Sequence, residues 1–190
     1  MFRQASQFNS NLSSWDVSNC IDFSYFVDET DLFNSPLNSW DLSSGETFEY
    51  MFRLAQGFNQ DLSSWDVSEE ENLSEFFTGT SIFNQDLSSW VVSSSTTLDG
   101  TFKDAVAFNQ DLSSWDVSDV EDFTSTFENS ILFNGDISTW DVSSATSMIN
   151  MFKDAQSFNQ DLPWDVSSVQ DFTSTFQNSA IFNGDISTWN

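Results

Sequence analysis

Aspartate recurs at fixed places along this chain. Asp61, Asp86, Asp111, Asp136, Asp161 and Asp185 form one series, and Asp16, Asp41, Asp66, Asp116, Asp141 and Asp165 form another that Val91 interrupts. Carboxylates stacked in this way repel unless they are solvated, bonded to turns or bridged by a cation. Asp, Ser and backbone carbonyl oxygens suit Ca²⁺, which makes the first series the candidate calcium ligands. Neither EF-hand spacing nor a G-G-x-G-x-D nonapeptide is present, so the plainer use of these acids is turn capping. Paired carboxylates also serve glycosidases, but a catalytic pair is a singular arrangement and these acids return in nearly every unit. The expectation is a protein that is not an enzyme, with no catalytic residues and no cofactor beyond the Ca²⁺ option.

Composition narrows the field further. Four Lys and Arg against 30 Asp and Glu give a net charge of -26, yet there are 21 Phe and 8 Trp among 190 residues. The charge would suit a disordered chain, whereas that many large apolar side chains can bury enough surface to fold. Phosphate backbones are repelled by such a surface, so nucleic acid is excluded as a partner, and cations or basic surfaces are favoured. Cys20 is the single cysteine and histidine is absent, which removes disulfide frameworks, zinc sites, thiol–imidazole pairs and the Ser-His-Asp triad. No apolar run is long enough for a membrane span, and the opening "MFRQASQF" does not read as a signal peptide.

What positions the acids is a repeat. Phe8, Phe33, Phe58, Phe83, Phe108, Phe133 and Phe158 are spaced by 25, Phe182 follows after 24, and the tryptophans from Trp15 to Trp189 keep the same beat. The short step falls at Pro163, which stands in for a Ser-Ser pair. Periods of this length signal stacked units, none of which buries its apolar face alone. Residues 1–190 are therefore expected to form a single solenoid domain of about eight coils, with all the Trp inside. Met1-Phe2-Arg3 shares its columns with Met51-Phe52-Arg53, and Trp189-Asn190 stops where earlier units continue into "DVS", so a fragment of a longer array is expected.

The unit Phe108–Leu132 suggests how a coil is built. Leu112, Trp115 and Val117 follow L-x-x-L-x-L spacing, which predicts a short strand near Ser114–Ser118. Val120, Phe123, Phe127 and Ser130 then stand at i, i+3, i+7 and i+10, which predicts a short helix capped by Ser118. The expected fold class is a leucine-rich-repeat-like solenoid whose coils pair a short β-strand with a short helix. An all-β solenoid, favoured by the Ser/Thr-rich composition, is the alternative.

Other columns are read structurally. An Asn follows every repeat Phe, from Asn9 to Asn183, and is expected to bond turns of its own or the next coil as a ladder. All four cations, Arg3, Arg53, Lys103 and Lys153, share one column at a spacing of 50, with Asp28, Thr78, Glu128 and Gln177 in the intervening coils. That predicts exposed ion pairs of about 1 kcal/mol or less each. Asn11 and Asn72 head the only N-x-Ser/Thr sequons and are the glycosylation candidates of a protein secreted by a eukaryote, Asn72 lying at a predicted helix start on a solvated Glu-rich segment.

The run "FNQDLSSWDVSDVEDFTSTFENS" resembles the 25-residue repeat of BspA-like surface proteins, a family related to leucine-rich repeats. The resemblance covers essentially the whole chain and implies a secreted or cell-surface, extracellular repeat protein with no catalytic residues to carry over. The sequence departs from the family pattern at Glu70-Glu71-Asn72-Leu73, at Val27 in place of Phe, and at the short unit. Two function classes follow. One is an adhesion module that binds an extracellular protein or glycan, and the other a structural subunit that assembles with copies of itself into a filament or sheath.

Overall fold

A computed structural model describes residues 1–189. Each repeat unit forms one layer, and the layers are joined by backbone hydrogen bonds between residues one period apart. In the unit analysed above, Phe123, Ser125, Phe127 and Asn129 donate their N–H groups to the carbonyls of Ser147, Ile149, Met151 and Lys153 in the next layer. The residues between them turn inward on the chain: Thr126, Glu128 and Ser130 donate to Phe123, Ser125 and Phe127, three residues back. A second seam runs the other way, with Leu132 donating to Val106 and Thr146 to Glu121 in the preceding layer.

This alternation overturns the expected fold class. A helix needs consecutive bonds to the fourth residue back, and a strand needs a ladder uninterrupted by tight turns. Here alternate N–H groups do different jobs, so neither element can propagate. Among the described residues there is no helix, and β pairing is limited to single parallel bridges such as Asn72↔Thr97, Thr97↔Asp122 and Asp122↔Ser147. The coil of short strand plus short helix does not form, and neither does the all-β coil. Ser114–Ser118 is not a strand, and Ser118 caps no helix; its N–H instead bonds Asp116 Oδ1 at 3.2 Å.

The helical spacing of Val120, Phe123, Phe127 and Ser130 has another cause. Successive tight turns place Ser125 and Asn129 in the left-handed region, at φ 54° and 57°. Each resets the chain after four residues, which returns Phe123 and Phe127 to the same side. All four side chains are buried, as the spacing requires. The same two left-handed columns run through the stack, occupied by Tyr25 and Glu29, Tyr50 and Leu54, then Glu75 and Gly79. A non-glycine residue costs about 1 kcal/mol or more in that conformation, so the turns are held by the layers around them.

The core consists of stacked aromatic columns. Successive rings from Phe8 to Phe182 lie nearly parallel with centroids 5.8–6.1 Å apart. A second column slots beside it, with Phe127 on Phe133 at 3.9 Å and Phe152 on Phe158 at 4.0 Å. Val27 interrupts that second column, and Phe26 fills the gap edge-on to Trp40 at 5.2 Å. Trp40, Trp65, Trp90, Trp115, Trp140 and Trp164 are buried, whereas Trp15 is 39% exposed and Trp189 only partly covered, so the tryptophans of the first and last layers depart from the expectation. Each indole N–H from Trp40 onward donates to a Leu or Ile carbonyl of the preceding layer, for example Trp115 to Leu87 at 3.0 Å and Trp140 to Leu112 at 2.9 Å. The indole therefore fastens layers together as well as filling them. No helix among the described residues is long and apolar enough to cross a membrane.

Candidate functional site

The Asn column is a ladder. The backbone N–H of each Asn donates to the side-chain oxygen of the Asn one layer earlier, as in Asn59 to Asn34 at 2.9 Å and Asn109 to Asn84 at 2.8 Å. Gln60 and Gln85 reinforce it by donating to the same oxygens of Asn34 and Asn59.

The exposed Asp series are turn caps. Asp61, Asp86, Asp111, Asp136 and Asp185 each accept the N–H of the Ser two residues on, at 2.8–2.9 Å. Asp161 accepts the N–H of Asp185 at 2.8 Å instead. Hydrogen bonds from Ser63, Ser113 and Ser187 hold the carboxyls of Asp61, Asp111 and Asp185 below the ordinary aspartate range. The second series works alike, with Ser68 bonded to Asp66 and Ser143 to Asp141. Among the described residues no group of three acids converges closely enough to hold a metal ion. Calcium at the first series would have to complete its shell with carbonyl and solvent oxygens.

The cations meet acids across layers as their spacing predicts, but the acids are not exposed. Asp28 is fully buried between two arginines: Arg53 grips it through Nε at 2.9 Å and an Nη at 3.1 Å, and Arg3 Nε lies 2.9 Å away. Arg3 and Arg53 also lie over the rings of Tyr25 and Tyr50, which stack on each other at 4.6 Å. Glu128 is held by Lys103 at 2.9 Å, Lys153 at 2.7 Å and Ser125 Oγ at 2.8 Å. Burial pushes its carboxyl up, but the bonds from Lys153, Lys103 and Ser125 outweigh that and bring it down to about 2.

Sequence reasoning missed Glu70. It sits in the column of Gly45, Ser95, Val120 and Ala145 and is 4% exposed. One oxygen accepts the Asn72 N–H at 3.0 Å, while Oε2 is buried with no hydrogen-bond partner among the described residues. Burial, with help from Glu49 and Glu71, pushes this carboxyl up to about 7. A small cavity of about 70 Å³ lies beside it, bounded by Leu42, Gly45, Phe48 and Val67. The available signal was a charged residue in a column otherwise small or apolar, masked by its place in the run Glu69-Glu70-Glu71.

The two sequons differ. Asn11 is exposed, and its side-chain oxygen accepts the Ser13 N–H. Asn72 starts no helix and is half-buried, with its side-chain nitrogen donating to Glu49 at 3.0 Å.

A family model described as "Mycoplasma protein of unknown function, DUF285" matches residues 1–90, 63–163 and 96–190. These overlapping matches mark a repeat protein. No curated protein and no solved structure matches the chain.

Proposed function

The chain belongs to the DUF285 family, and on that premise we propose that it is a non-catalytic repeat scaffold of the cell surface or extracellular space, used for adhesion to a protein or glycan. The observation that carries this reading is how the polar columns are spent. The Asn column, the exposed Asp series and the cations all enter bonds that repeat from layer to layer. A catalytic centre concentrates unlike groups at one place, whereas here the same groups recur along the length, as a display surface requires. The resemblance to BspA-like surface proteins points the same way. The test is adhesion of beads coated with the chain to panels of immobilised extracellular proteins and glycans. Specific, saturable adhesion supports the reading, and turnover of a substrate by the purified chain would end it.

A further inference from the structure

Four of the exposed aliphatic side chains fall at one place in the repeat. Leu32, Ile82, Leu132 and Ile181 are each 50–55% exposed and share one column of the repeat, in every second layer. The layers between carry Gly57, Ala107 and Ser157 there, so large and small residues alternate along the face. A Cβ at Gly57 would come within 2.7 Å of the Asp31 carbonyl oxygen, so packing keeps that position small, whereas Leu32, Ile82, Leu132 and Ile181 are half exposed and their size is not set by the core. Acids flank the ridge on both sides. Asp86, Asp136 and Asp185 stand four residues after it and are exposed. Glu29, Asp104 and Asp154 stand three residues before the same column.

We propose that this ridge is a docking surface for a cationic amphipathic helix of a partner protein. Layers joined by backbone hydrogen bonds are about 4.8 Å apart and rings of the adjoining Phe column 5.9–6.1 Å apart, so knobs in alternate layers recur about every 10–12 Å. A helix rises about 10.5 Å in seven residues, near the lower end of that range. Apolar residues at heptad spacing therefore meet neighbouring knobs of Leu32, Ile82, Leu132 and Ile181 in approximate register, seating against the small residues between them. Lysines on either flank of that helix would meet the two acid rows. A second copy of this chain is a poor occupant, because each copy carries a net charge of -26. The proposal rests on the scaffold reading and gives the chemistry of its partner.

The test uses a synthetic helix of about 20 residues with Leu at heptad positions and Lys elsewhere, beside a scrambled peptide of identical composition. The heptad peptide is expected to bind at least about tenfold more tightly than the scrambled one, an advantage lost in the variant Leu32→Ser, Ile82→Ser, Leu132→Ser, Ile181→Ser. These side chains are half exposed, so the variant should melt with the native chain, which a thermal scan verifies. Equal binding of the two peptides, or undiminished preference in the variant, would overturn the proposal. So would a dimer dispersed by the four substitutions, or loss in the variant of binding to zwitterionic vesicles. If coated beads still adhere to their target in the variant, the scaffold reading stands while this ridge is dismissed.

Discussion

Glu70 and Glu128 are glutamates buried in the same stack, and their environments drive them in opposite directions. Glu128 lies between Lys103 and Lys153, which arrive from the layers on either side, and its carboxyl is brought down to about 2. Glu70 has Gly45 and Ser95 in the corresponding flanking layers, keeps one oxygen unpaired, and is pushed up to about 7. In a layered fold, then, the presence or absence of a cation one period away along the chain can decide which way a buried carboxyl shifts, beside the local bonds from Asn72 to Glu70 and from Ser125 to Glu128.

The most disruptive way to break this contrast is to make Glu128 resemble Glu70. Replacing Lys103 and Lys153 with Met leaves a buried carboxylate without a cation, and stability at pH 8 should fall by about 3–5 kcal/mol in urea titration. Much of that loss should return near pH 5, as Glu128 takes up a proton. Recovery absent at pH 5 would show that the lysines act through packing rather than charge.

Glu70→Gln removes the contrast from the other side. Its folded-state value lies above the unfolded one, so the native state binds the extra proton and stability is lost as pH rises from about 4.5 to about 7. The substitution should stabilise the chain by about 2–3 kcal/mol at pH 8 and change little at pH 4. An unchanged melting temperature at pH 8 would mean that the orphan oxygen is solvated.

The native chain should itself show both limbs. Glu128 is depressed in the folded state, so its contribution is present above about 4.5 and is lost as pH falls toward about 2. Taken with Glu70, this places a local maximum of stability near pH 4.5. Partial solvent exposure of Lys103 and Lys153 screens these pairs and reduces the acid limb to about 1 kcal/mol. A stability profile rising steadily from pH 4 to 8 contradicts the contrast.

The smallest effect concerns the exposed acids, which neither burial nor lysine controls. Screening should raise the melting temperature modestly, with Mg²⁺, Ca²⁺ and matched NaCl acting alike, because turn N–H groups already engage these carboxylates. A saturating rise specific to Ca²⁺ and reversed by EDTA would instead mark ordered sites at Asp61, Asp86, Asp111, Asp136, Asp161 or Asp185.

Much of the arrangement was legible in the sequence. Spacing alone identified the columns, the inward set Val120, Phe123, Phe127 and Ser130, and the pairing of Arg3 and Arg53 with Asp28. The backbone was not legible. A turn that resets the chain every fourth residue imitates helical spacing, and the left-handed positions that would betray it carry Tyr25, Leu54 and Glu75 where glycine is usual. Glu70 was illegible for a related reason, since a run of glutamates reads as solvated surface. Its burial follows from its column rather than from its neighbours.

The opposed hydrogen-bond seams bear on how such an array can lengthen. Peptide dipoles aligned in one direction accumulate partial charge at the ends of a helix. Here Phe127 points its N–H toward the next layer while Leu132 points its own back, so the two seams offset part of each other's dipole. Gene duplication can add a pair of units without enlarging an end charge, and the rising count of aspartates becomes the electrostatic limit on length.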